Sequence, residues 1–209
     1  MSAPRHPFPV LRWVALAWLA VYLPVYAQAY GWLNFLVLCN VGILLTAAGL
    51  VAGSGLLLSS QAVAALLPCV AWGLDVAWRL ATGDFLFGGT AYMWDPQYPL
   101  AARLLSLYHL VWPWVLLHAL RRLGYDPRGY ALQCALAAAL ILGGRLVDPA
   151  LNCNWAFADP VFARSFGPAP VHLATLLAAT LAGVYLATHR LLLRLDGRLR
   201  DESATAARN

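Results

Sequence analysis

The chain has 209 residues, 62% of them hydrophobic and only 11% charged, and its mean hydropathy is +0.67. A soluble domain averages ~45–50% apolar and ~25% charged residues, so this composition excludes a disordered chain and an ordinary water-soluble domain. The net charge is +5 and all 14 basic residues are Arg. No basic run alternates with aromatics as a nucleic-acid surface would require, so the charge is read as orientation in a membrane and no nucleic-acid partner is expected.

Six apolar segments follow in chain order, at 10–28, 32–52, 57–81, 99–120, 130–147 and 171–193. About 20 apolar residues make a helix long enough to cross a bilayer. The expectation is therefore an all-α, six-helix transmembrane bundle, with residues 1–209 forming a single polytopic membrane domain. Its two long connections, 82–98 and 148–170, fall on one side. Arg placement sets the orientation. Ten Arg (5, 12, 121, 122, 128, 190, 194, 198, 200 and 208) lie on the side of the termini, against Arg79, Arg103, Arg145 and Arg164 on the other. The positive-inside rule then predicts a multi-pass protein of the cytoplasmic (inner) membrane with both termini in the cytoplasm. An alternative reads residues 1–29 as a signal peptide cleaved after Ala27-Gln28-Ala29.

Both outer loops are rich in aromatics, with Phe85, Tyr92, Trp94 and Tyr98 in the first and Trp155, Phe157, Phe162 and Phe166 in the second. Such residues either anchor at the headgroups or close over an outward-facing cavity. Gly49 and Gly53 form a small-x-x-x-small pair that allows close helix approach. The four cysteines show no Cys-x-x-Cys pair and no disulfide or zinc spacing.

Polar groups inside membrane helices are costly and mark sites. Asn40, Asp75 and His109 sit on three helices, roughly 12, 9 and 14 Å from the outer end at 1.5 Å per residue. They are read as sharing one outward-facing cavity. Asp75 and Arg79, at i and i+4, either pair with each other or serve a ligand. Pro113 removes the amide that would bond the His109 carbonyl, which predicts a kink there. His172 opens the last helix and is read as reaching the same cavity. Asn152 and Asn154 either cap turns or line its mouth. His118 and His189 are read as interfacial.

Several of these residues resemble a known family. Tyr30-Gly31 ahead of Asn34-Phe35-Leu36, a polar residue at Asn40, Tyr108-His109 before Pro113 and the Trp155 stretch are similar to the six-helix, androgen-induced membrane hydrolases of fatty-acid esters of hydroxy fatty acids. The chain looks closer still to a group of six-helix bacterial membrane proteins. The resemblance implies the six-helix fold and a catalytic His at His109. The place of the family's catalytic Thr is taken by Val37, which cannot act as a nucleophile, and Asn40 replaces an acidic residue.

The functional expectation is a lipid-directed ester hydrolase or acyl transferase. His109 would be general base, Asp75 would orient the imidazole, and Asn40 would donate to an oxyanion. Arg79, Asn152, Asn154 and His172 would bind substrate. Cys39, Thr46 and Ser106 are the available nucleophiles. Membrane lipid is the expected partner, and no cofactor or metal is implied. The alternative is a non-enzymatic protein that binds a lipid, a quinone or a pigment in the same cavity.

Overall fold

The computed structural model describes residues 6–159, 161–162 and 164–206, with side chains as far as Asp196. Among these residues the chain is helical, and the single strand-like feature is an isolated bridge between Asp159 and Arg164. The α-helices are α1 (Leu11–Tyr30), α2 (Leu38–Ala52), α3 (Gly55–Thr82), α4 (Leu100–Leu105), α5 (Tyr108–Leu123), α6 (Arg128–Gly143), α7 (Ala169–Ala178) and α8 (Leu186–Ala206). A π-helical stretch, Ala179–Tyr185, joins α7 to α8 without a break. Counting α4–α5 and α7–α8 as continuous, five described helices are long and apolar enough to cross a membrane.

The second expected helix, 32–52, is the one that differs. Gly31 leaves α1 at φ +79, Trp32–Leu36 coil into a 310 turn, and Val37 is extended at ψ 135. Only then does α2 begin, and it is 15 residues long. Long-range bonds enforce this break. The Asn40 amide donates to the Asn34 carbonyl (2.6 Å), and Asn154 binds both Leu38 N–H and the Leu36 carbonyl.

The expected kink in the fourth segment also moves. Pro113 stays inside α5, while the helix tightens upstream. Ser106, Leu107, His109 and Leu110 each donate three residues back instead of four, which separates α4 from α5.

α3 is the central helix, packed by α2, α5, α6 and α8. Lipid offers little hydrophobic drive for association, so contacts rely on close backbone approach over small residues. Gly49 provides one, against Leu58, whereas Gly53 ends α2 in the left-handed conformation at φ +63. Gly129 provides another, directly against backbone. A Cβ there would stand 2.7 Å from Ser60 N and 2.9 Å from the Ser59 carbonyl carbon. Backbone cannot swing aside, so Gly129→Ala must push α6 off α3. We expect a loss of about 1–3 kcal/mol in stability, the usual cost of overpacking. Thermal unfolding in detergent checks it, with Gly183→Ala, which meets nothing within 4 Å, as the neutral control.

α3 and α6 are also joined by polar side chains that have no sequence signal beyond their polarity. Gln61 Nε2 donates to Gln133 Oε1 (3.3 Å), and Gln133 Nε2 donates to the Tyr185 hydroxyl (3.3 Å). The N-terminal segment tucks under the bundle. His6 bonds the Val51 carbonyl (3.0 Å), and Phe8 is buried. The bundle thus has a loop end, carrying 82–98 and 148–170, and a termini end.

Candidate functional site

The expected site residues all lie toward the loop end, but most of them hold loops. Asp75 is buried, and its carboxylate is filled by the 82–98 loop. Oδ1 accepts from Phe87 N–H (2.6 Å) and Gly88 N–H (3.2 Å), and Oδ2 accepts from Thr90 N–H (3.0 Å) and Thr90 Oγ1–H (2.6 Å). Gly83 and Gly88, at φ +85 and +77, allow the chain to curl back over it. The Asp75–Arg79 pair considered from spacing does not form. The Arg79 guanidinium lies over the Phe85 ring at 4.7 Å and the Trp94 ring at 5.9 Å instead. Arg103 adds a bond to the Met93 carbonyl (3.1 Å).

The second loop is held the same way. Asn152 bridges Phe157 and Ala158 through their amides and the Ala158 carbonyl. Asn154 Oδ1 accepts from Leu38 N–H (2.8 Å), while its Nδ2 donates to the Leu36 (3.0 Å) and Leu140 (3.1 Å) carbonyls. His172 accepts from Phe166 N–H at Nδ1 (3.3 Å), so its Nε2 carries the proton donated to the Trp155 carbonyl (2.8 Å). Neither His172 nitrogen is left for a ligand. Arg145 reaches the Ala156 carbonyl (3.1 Å) and covers the Phe157 ring at 4.1 Å.

Asn40 is buried between α1 and the 310 turn. It accepts from the Tyr22 hydroxyl (2.6 Å) and donates to Asn34. One of the two N–H groups assigned to an oxyanion is therefore occupied. No hydrogen bond joins Asn40, Asp75 and His109 to one another among the described residues.

His109 stands apart. It is clamped between the rings of Tyr108 (4.1 Å) and Trp72 (4.9 Å). Its Nδ1 bonds the Ser106 carbonyl (2.8 Å), and a carbonyl only accepts, so Nδ1 carries the proton and Nε2 keeps a lone pair. Ser106 does not offer His109 a nucleophile, because its hydroxyl is bonded to the Tyr26 hydroxyl (2.5 Å) and the Ala102 carbonyl (3.3 Å). Thr46 is committed to the Gly42 carbonyl and the Trp112 indole.

Around His109 lies a phenol cluster that sequence reasoning passed over. Tyr22, Tyr26 and Tyr30 pack in turn as tilted rings, with centroids 4.1 and 5.0 Å apart, and Tyr22 meets Tyr108 edge-on at 5.7 Å. The i, i+4 spacing of the three on α1 was a legible signal. Tyr92 comes from the loop and accepts from the Trp72 indole (3.2 Å). Burial pushes its phenol above the ordinary range, so it stays protonated.

A concave feature lies open beside α1, separate from a smaller one at Leu23, Pro24, Ala27, Gln28 and Trp32. α1 packs on α2 and α4 but parts from α5 farther down, leaving a wedge floored by α2. It holds about 390 Å³ and runs along Leu11–Leu19 of α1, Ile43–Leu50 of α2 and Leu104–Val115 of α4 and α5. Its walls are apolar, apart from a few side chains such as Thr46, Trp18 and Tyr108. The Trp18 indole N–H is buried without a hydrogen-bond partner. No protein-family model, curated protein or solved structure matches the chain. Functional inference therefore starts from the groove and from His109.

Proposed function

We propose that this chain is an integral protein of the cytoplasmic membrane that binds a lipid-type apolar ligand, such as a lipid or a quinone, in the groove between α1, α2 and α5. The groove is the observation that carries the reading. Its 390 Å³ lies in the range of ligand sites, roughly 300–1,000 Å³. Its predominantly apolar walls suit a hydrocarbon chain or ring. The surface around it suits hydrocarbon. Leu80, Val111 and Trp114 are each more than 60% exposed, a density of bare apolar side chains that water does not support. On this reading the bundle crosses six times with both termini in the cytoplasm. The α2 helix and its 310 turn contribute a combined rise of roughly 32 Å, against a hydrocarbon core of ~30 Å.

A second reading, lipid-ester hydrolysis or acyl transfer, is favoured by one observation, the free Nε2 lone pair of His109 beside the phenol cluster. It lacks an orienting carboxylate, because all four bonds to Asp75 come from its loop.

One preparation tests both. Protein purified in mild detergent is extracted and its bound small molecules are identified by mass spectrometry, alongside a panel of lipid esters. We expect a stoichiometric apolar molecule that falls severalfold in Ala15→Phe, which fills the groove, and no turnover. Turnover that disappears in His109→Ala would transfer the assignment to the hydrolase.

A further inference from the structure

We propose that the occupant of the groove is an anionic glycerophospholipid drawn from the leaflet on the termini side, with one acyl chain in the wedge and its phosphate on Arg12. The inference rests on the groove being a ligand site and adds the class of ligand and the group that selects it.

The wedge is bounded at its termini end by Leu11, Leu50 and Val115. Arg12 follows the lining residue Leu11 in the first turn of α1 and does not itself line the wedge. On the helix it shares a flank with the groove-lining Ala15 and Leu19, three and seven residues on. Its side chain is half-buried, and Nε is buried without any hydrogen-bond partner. No acidic side chain pairs with it among the described residues; the recorded ion pair is Arg128 with Asp126. Among the described residues its guanidinium lies near an aromatic face, the Trp13 ring at 5.2 Å, and Trp13 itself is exposed.

Arg12 lies at the headgroup end of α1, where anionic lipid attracts a cation. A phosphate meets it with charge-assisted bonds, to which the planar guanidinium fork is suited. The groove beneath it takes a chain and offers no second charge. Phosphate above and hydrocarbon below is the layout of an anionic phospholipid standing in its own leaflet. Cytoplasmic basic pockets between transmembrane helices bind such headgroups in the same way. A free phosphate would use Arg12 and leave the wedge empty. A zwitterionic lipid would fill the wedge but bring a compensating cation to the guanidinium.

The test uses the full chain, delipidated in a neutral detergent. Phosphatidylglycerol and phosphatidylcholine with brominated acyl chains are titrated separately, and quenching of Trp fluorescence is read. Trp18→Phe identifies the part of the signal that comes from the groove wall. We expect phosphatidylglycerol to quench Trp18 at about fivefold lower mole fraction, the equivalent of ~1 kcal/mol for one Arg beside an anionic lipid. Arg12→Gln should merge the two curves while phosphatidylcholine quenching persists, and Arg12→Lys should keep part of the preference. Millimolar inorganic phosphate should leave the quenching by phosphatidylglycerol intact. Identical curves for the two lipids in the wild type overturn the proposal without any variant, as does a preference that survives in Arg12→Gln. Displacement by inorganic phosphate overturns it in favour of a free-phosphate site. Trp18 quenching that is unchanged in Ala15→Phe strikes the groove reading itself, whatever Arg12 does.

Discussion

Asp75→Ala is expected to release the 82–98 loop and to destabilise the protein by about 3 kcal/mol, with loop release visible before global unfolding. The carboxylate accepts four hydrogen bonds, three of them from backbone amides of Phe87, Gly88 and Thr90. Bonds to a charged acceptor are worth roughly 1.5–3 kcal/mol each, but the sum is not recovered. The loop lies at the end of the bundle, and the freed amides can turn toward water. Proteolysis within 82–98 measures the release, and thermal unfolding in detergent measures the stability. Asp75→Asn keeps the shape but presents an NH2 group to N–H donors, so it should recover only part of the loss. Arg79→Leu tests a weaker attachment of the same loop. An exposed cation–π contact is worth about 0.5–1 kcal/mol, so the loop should stay seated. Protease resistance that is unchanged in Asp75→Ala would return Asp75 to the list of groups free to act on a ligand.

The contrast between Asp75 and His109 shows what the sequence could and could not convey. Hydrophobic runs overlap all five described helices long and apolar enough to cross a membrane, because burial in hydrocarbon depends on composition along the chain and not on partners. The same logic placed Asn40, Asp75 and His109 at similar depth. Depth does not determine what a side chain meets. Asp75 meets amides 12 to 15 residues away, and Asn40 meets Tyr22 across two helices. Which loop folds back over which helix end is a tertiary fact. The break at Trp32–Val37 was illegible for the same reason, since Asn154, more than 100 residues on, helps to set it. Tyr22, Tyr26 and Tyr30 were legible by spacing. The wedge was not, because it arises from the angle between α1 and α5. The bias toward ionisable residues also hid the neutral Gln61–Gln133 contact and drew attention to His172, whose two nitrogens are both spent on the second loop.

Asn154→Ala should be as damaging as the loss of Asp75, at about 3–4 kcal/mol, but it should act at a different place. Asn154 joins three elements with one amide: the turn ending at Leu36, the first residue of α2 and the last turn of α6. Its Oδ1 gives an acceptor to Leu38 N–H, one of the four amides that open α2 without an intrahelical partner, and Val37 at the N-cap has no side chain able to accept from any of them. Its backbone, at φ +53, lies in the left-handed region, which Asn tolerates better than Ala. The neighbouring Asn152 and Trp155 are also left-handed, at φ +40 and +62, so this corner has little room to relax. Ala therefore loses three bonds, leaves Leu38 N–H without this acceptor and adds backbone strain. Gly at 154 removes the strain and keeps the bond losses, so Asn154→Gly should recover roughly 1 kcal/mol relative to Ala. Hydrogen exchange separates this variant from Asp75→Ala. Amides of residues 36–41 should lose protection in Asn154→Ala, while those of 87–90 keep theirs. The reverse pattern would mean that the second loop is held by Asn152, Arg145 and His172 without Asn154.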